Sequence, residues 1–174
     1  MKRPISIWLL LVLFIASFAR GATILVQQSE SEVFQLFAAA SIEVVFFVLV
    51  SASVLLDAAT VRYLWRPEPT GLRVGLASLA VGAAFALLAG LIAMAHPDLI
   101  RVLVIAAYEE SGRPLDPRAF ELATSNAAIA ARTGVTLAKV ALTAWLLVWN
   151  RPYFVKRGQF EKKGSGPFSH EKGA

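Results

Sequence analysis

Four stretches of about twenty apolar residues dominate this chain: Ile5 to Val26, Val33 to Leu56, Leu72 to Ala95 and Ala127 to Trp149. A hydrocarbon core roughly 30 Å thick requires ~20 residues of helix. Four such runs in 174 residues leave too little polar surface for a soluble fold. Lipid offers the backbone no hydrogen-bond partner, so each run is expected to be a helix. Composition agrees: 57% of residues are hydrophobic and only 17% charged, against about 25% charged in soluble domains. The fold expected is an all-α membrane protein, a four-span antiparallel bundle with a short external helical segment.

Local signals mark the ends of the runs. Ser29 and Glu32 have the spacing of a capping box before the second run. That run can continue through Asp57 and Tyr63 until Pro67 removes a backbone donor. The third run ends at His96-Pro97. Asp116-Pro117 places a cap ahead of a first-turn proline, and the helix begun there is expected to bend at Thr124-Ser125-Asn126 before the fourth span. The segment 97–126 is assigned to the external side. Its apolar part, Leu99 to Ala107, is too short to cross, and is expected to lie on the bilayer or cap the bundle; a re-entrant helix lining an entrance is the alternative. The basic stretch 155–174, with Gly164-Ser165-Gly166-Pro167 within it, is expected to be a disordered cytoplasmic tail.

Charge fixes the expected orientation. With the N-terminus inside, eleven basic residues fall on the cytoplasmic side, among them Lys2, Arg3, Arg62, Arg66, Arg73 and Arg151. The opposite side holds Arg101, Arg113 and Arg118 with seven acidic residues. This is the positive-inside pattern. Trp8, Trp65, Trp145 and Trp149 all fall near the cytoplasmic ends, the level at which amphipathic rings prefer to sit. The N-terminus has a second reading: Lys2-Arg3 and the apolar Ile5 to Ala19 have the plan of a signal peptide, with Ala19-Arg20-Gly21 as a small-x-small site. The apolar residues that resume at Ala22 favour a retained span.

Ionisable groups within a span cost about 2.5–3.5 kcal/mol each at a helix centre on insertion scales, so they focus any search for function. The runs as drawn contain Arg20, Glu43, Arg132 and Lys139. At about 1.5 Å per residue, Glu43 falls roughly 15 Å below Val33 and Lys139 roughly 18 Å below Ala127. Arg132 and Lys139 share a helix face with Thr136 and Thr143, and Glu43, Val50 and Asp57 share another. An intramembrane polar cluster of Arg20, Glu43, Arg132, Thr136 and Lys139 is therefore expected, with Glu43 paired to Arg132 or Lys139. Such a pair serves either as structural glue or as an ion relay. In the third run, Gly71-x-x-x-Gly75 and Gly82-x-x-x-Ala86-x-x-x-Gly90 place small residues four apart, which lets helix backbones approach closely. Gly75, Gly82, Ala86 and Gly90 are expected to form a packing face.

Catalytic constellations are not found. The sequence contains no G-x-S-x-G, no H-E-x-x-H and no glycine-rich phosphate loop. The absence of cysteine excludes thiol nucleophiles and iron–sulfur ligation. His96 and His170 have no partner on a facing helix, so neither metal nor cofactor is assigned. The basic residues cluster at span ends rather than in a stripe, so nucleic acid is not an expected partner. The opening Arg3-Pro4-Ile5-Ser6-Ile7-Trp8 resembles the start of small bacterial multi-span proteins that begin Arg-Pro-(Leu/Ile)-Ser-(Val/Ile)-Trp, and Arg151-Pro152-Tyr153-Phe154 is similar to their exit. That group has no established activity, and the resemblance implies only a bacterial inner-membrane setting. The expected function is a non-enzymatic structural or accessory subunit that packs in the bilayer with itself or with another membrane protein. The alternative is a small transporter or channel component built on Glu43 and Lys139.

Overall fold

The protein is described by a computed structural model covering residues 4–28, 31–112 and 116–155. Lys2, Arg3, Ser29, Glu30, Arg113 and the basic tail from 156 onward lie outside the described residues. Every regular element among the described residues is helical: α1 (Ile5–Val26), α2 (Glu32–Ala39), α3 (Glu43–Trp65), α4 (Gly71–Ala95), α5 (Pro97–Ser111), α6 (Pro117–Thr124) and α7 (Asn126–Trp149). Four of these, α1, α3, α4 and α7, are long and apolar enough to cross a membrane. They alternate in direction. Ile5, Trp65, Gly71 and Trp149 therefore lie at one end, called here the terminal end, and Val26, Glu43, Ala95 and Asn126 at the distal end.

The second span is the one place where the run as drawn, Val33 to Leu56, is wrong. The chain breaks after Ala39, and the spanning helix runs from Glu43 to Trp65. The break is a Schellman-type ending, in which the Ile42 N–H donates to the Phe37 carbonyl at 3.0 Å and the Ser41 N–H to the Ala38 carbonyl at 2.9 Å. Ser41 takes φ 55°, a left-handed conformation usually given to glycine. The helix before the break, α2, has Ser31 at its N-cap, with no side-chain cap bond; Ser29, the expected cap, lies outside the described residues. Helix α2 packs on α3 and α4 at the distal end, where Phe37 is fully buried between Phe46 and Phe85.

The other boundaries have conventional causes. Pro97 opens α5 because His96, preceding a proline, is forced out of helical geometry (φ −122°, ψ 63°). Gly112 closes that helix at φ 63°. The Asp116 side chain accepts from the Arg118 N–H at 3.0 Å to start α6, and the Ser125 side chain accepts from the Ala128 N–H at 3.2 Å to start α7. The bend thus falls at Ser125, whose ψ of 147° interrupts the helix. Leu99, Ile100 and Leu103 of α5 pack against the distal core, so this segment covers the bundle.

Within the bundle α3 sits between α1 and α4, and α4 between α3 and α7, with α1 also touching α7. Two apolar clusters result. The terminal one joins Leu10 and Phe14 of α1, Leu64 of α3 and Leu147 of α7 to Phe154 beyond α7. The distal one joins Phe46 and Val50 of α3, Ile92 of α4 and Ile129 of α7 to Phe37. Ser6 donates to Asn150 at 2.8 Å, which draws the first and last described turns together, and the Tyr153 hydroxyl donates to the Leu64 carbonyl at 3.1 Å, which ties the last turn to the end of α3. Outward-facing Val12, Val48, Leu55, Leu91 and Leu142 are all more than half exposed, the surface of a body solvated by lipid.

The small residues of α4 are used unevenly. A Cβ built on Gly90 would collide with the Thr133 hydroxyl, and one on Gly75 would come within 2.8 Å of Leu147 Cδ2. These two glycines set the α4–α7 approach. Ala86 is only half-buried, and a Cβ on Gly82 would meet nothing within 4 Å, so Gly82 is not a close-packing position. Thr133 cannot turn aside freely, because its hydroxyl is bonded to the Ile129 carbonyl at 3.0 Å. Gly90→Ala is expected to cost about 1–3 kcal/mol through overpacking, whereas Gly82→Ala should stay within about 0.5 kcal/mol of neutral. Thermal melts in mild detergent separate the two; equal melting temperatures would refute the assigned seam.

Candidate functional site

Between the two apolar clusters lies a polar layer. In α1 it falls at Ser17, between Phe14 and Ile24; in α3 at Asp57, between Val54 and Val61; in α4 at Ser78, at the inner edge of the terminal cluster beside Leu79. Asp57 is 2% exposed and Ser78 3%. The Ser17 hydroxyl donates to Asp57 Oδ2 at 2.6 Å, and the Ser78 hydroxyl donates to Asp57 Oδ1. One carboxyl group thus joins three helices. Thr60, also buried, takes no part: its hydroxyl donates to the Leu56 carbonyl at 2.7 Å while its methyl group faces Gly75.

Counting back from Trp65, Asp57 lies about 12 Å inside its helix. No lysine or arginine among the described residues lies within ion-pair distance of it. Two hydroxyl donors leave part of a carboxylate's capacity for roughly four bonds unused. Chemically, such a group can act as polar glue between helices or hold a proton or small cation inside the bundle. Ser17, its partner on α1, is on the exposed surface, so the Oδ2 side lies next to the bundle exterior.

The cluster expected from sequence does not assemble. Glu43 occupies the first turn of α3 at the distal end, half-buried, where a helix N-terminus favours negative charge. An unbroken run from Val33 would put it at mid-membrane; the break after Ala39 puts it at the helix head instead. Arg132, Thr136 and Lys139 are exposed on α7, and α4 separates that helix from α3. No ion pair joins Glu43 to Arg132 or Lys139; the one ion pair among the described residues is Arg101–Asp98 at 3.8 Å, on the surface. Arg20 is exposed on α1. Sequence did place Asp57 on a face with Val50, but beyond the run's assigned end at Leu56. The continuation of that helix to Pro67, legible in the sequence, is the signal that places Asp57 inside the span.

The α7 stripe is a second feature of the surface. Ile129, Thr133, Leu137, Val140, Ala144 and Leu147 form the buried or half-buried side of α7. At 100° per residue, Arg132, Thr136, Lys139 and Thr143 lie about a quarter-turn away. The two threonines spend their hydroxyls on backbone, Thr136 on the Arg132 carbonyl at 3.0 Å and Thr143 on the Lys139 carbonyl at 2.8 Å. The guanidinium and ammonium groups are therefore the stripe's available donors. No group of His, Cys, Asp and Glu among the described residues is arranged to hold a metal ion.

Fold and surface together define an all-α membrane protein with four spanning helices. Comparison with protein-family models, curated proteins and solved structures gives no match.

Interhelical hydrogen bonds in membranes contribute about 0.6 kcal/mol on average and up to ~1.7. Asp57→Ala, which removes two of them, should destabilise the bundle by about 1–3 kcal/mol; Ser17→Ala should then cost nothing further in that background. Glu43→Gln should fall within about 0.5 kcal/mol of wild type. Unfolding in mixed micelles measures all three, and a Glu43 effect as large as that of Asp57 would contradict this arrangement.

Proposed function

We propose that the chain is an accessory subunit of the bacterial cytoplasmic membrane, with both termini in the cytoplasm, and that α7 docks on a different membrane-embedded protein. Lys139 carries the reading. It is about 20 Å from Asn126 and about 15 Å from Trp149 along the helix, further from either membrane surface than a lysine side chain reaches. Exposed there, its ammonium group has an unfavourable environment in lipid and a favourable one against a carboxylate or carbonyl of a neighbouring span.

A second copy fits this face poorly. Two-fold pairing of α7 with α7 in one membrane would set Lys139 against Lys139 and Arg132 against Arg132, and like charges in contact oppose association. The chain's own acids do not offer a complement, since Asp57 is buried and Glu43 lies at the distal end. A partner with an acidic group at mid-membrane depth is favoured. The assigned orientation is supported by the excess of basic residues at the terminal end and by the four tryptophans grouped there.

Photo-cross-linking from position 135 or 142, beside the stripe, tests the proposal in the native membrane. The expected result is one discrete heterologous adduct, lost in Arg132→Leu/Lys139→Leu and retained in Lys139→Arg. An adduct of two identical chains, or one indifferent to the leucine pair, would overturn it.

Asp57 favours a second reading, a transporter or channel component in which this buried carboxyl group, rather than Glu43 with Lys139, carries the ion. Proteoliposomes would then show proton or sodium flux abolished by Asp57→Asn. Flux unchanged in that variant would rule out the role.

A further inference from the structure

At the terminal end, side chains of α1 and α3 line a groove of about 470 Å³ on the bundle's flank. Val12 and Ile15 line it from α1, Arg62 from α3 and Arg66 from the extended residue that ends that helix, and Trp8 and Trp65 meet edge-to-face at 6.3 Å across the two helices. The spacing explains the shape. Residues 8, 12 and 15 lie on one face of α1, and 58, 62 and 65 on one face of α3; Ala58, the smallest of these, leaves the space open. From Trp8 to Ile15 the groove runs about 10 Å along the helix, from the level at which tryptophan rings sit in a membrane down into its apolar zone.

Charge sets what this groove takes. Arg62, in the last turn of α3, and Arg66, the residue that caps it, are four apart in sequence, both exposed, and neither is ion-paired among the described residues. Like charges at this spacing repel, and an anion between them removes the repulsion. Arg62 also offsets the negative end of the α3 dipole, so attraction for an anion requires both guanidinium groups. Among the described residues, none that lines the groove is acidic and able to receive an ammonium group. The remaining walls are apolar and lie below the charged rim, a combination that a free phosphate ion would leave unfilled.

We propose that the α1–α3 groove is a specific site for an anionic glycerophospholipid, with its phosphate between Arg62 and Arg66 and one acyl chain along Val12 and Ile15. Two guanidinium groups match a diester phosphate by charge-assisted hydrogen bonds, and the apolar groove distinguishes the bound lipid from a diffuse basic surface. The site is independent of the α7 face, and its test does not involve the docking partner.

Native mass spectrometry of the full chain, released from neutral detergent and titrated with phosphatidylglycerol or phosphatidylethanolamine, reads the binding directly. Wild type is expected to retain one phosphatidylglycerol with at least about tenfold preference, the scale that two basic side chains at a membrane surface set. Arg62→Gln/Arg66→Gln should abolish the preference. Both side chains are exposed, and an unchanged melting temperature would show that the fold survives the change. Ala58→Phe, which fills the groove but leaves the charges, should weaken retention of the lipid. Glycerol phosphate, offered as a competitor, should not displace it. Equal retention of the two lipids by wild type, undiminished preference in the glutamine pair, full retention in Ala58→Phe, or displacement by glycerol phosphate would each overturn the assignment.

Discussion

Apolar side chains gain nothing by leaving lipid for one another, so a helix bundle in a bilayer is held by close packing and by hydrogen bonds that lipid cannot supply. In this protein the carboxyl group of Asp57 meets that requirement for three helices at once, accepting from Ser17 on α1 and Ser78 on α4. Its position between the terminal and distal clusters also fixes the vertical register of those helices. Sliding one of them by a turn would separate a hydroxyl from the carboxyl and leave it in an apolar layer. Leucine and phenylalanine contacts alone would be far more tolerant of such a shift, since one apolar layer packs much like the next.

The fourth span is joined by other means. Between α4 and α7 no polar clasp forms; the approach depends instead on Gly75 and Gly90, where Leu147 and Thr133 occupy the space a side chain would need. This contact uses one side of α7 and leaves its arginine and lysine on the surface. The bundle thus separates its charges. The carboxyl group at the α1–α3–α4 junction is bonded and buried, while the cations of α7 and those at the end of α3 face outward. An inward acid contributes to cohesion, and outward cations suit partners that come from the bilayer, whether another protein's span or an anionic lipid.

Much of the architecture was legible because lipid permits so few solutions. Ile5 to Val26 coincides with α1, and the third and fourth runs begin within one residue of α4 and α7. Proline and polar caps gave their positions away at His96-Pro97, Asp116-Pro117 and Ser125. The second run concealed its break, since Ala40-Ser41-Ile42 contains neither glycine nor proline and, Glu43 apart, the nearest residues on both sides are apolar. The turn at Ser41 is chosen by packing, with Phe37 and Phe46 drawn against Phe85, and it is this turn that carries Glu43 to the head of α3 and Asp57 into the bundle. The expected Glu43 pair was lost with it. The small-residue pattern of α4 was legible as a motif, but the sequence could not show that Gly75 and Gly90 make contact while Gly82 does not.

By itself, then, the sequence determined the solvent and the secondary structure: twenty-residue apolar runs must be helices in lipid, and four of them must alternate in direction. Which polar residues meet was decided only by the tertiary structure. Hydropathy is a property of each segment, whereas the encounter of Ser17, Asp57 and Ser78 depends on how three helices rotate and slide against one another. The sequence carries no term for that until the helices are packed.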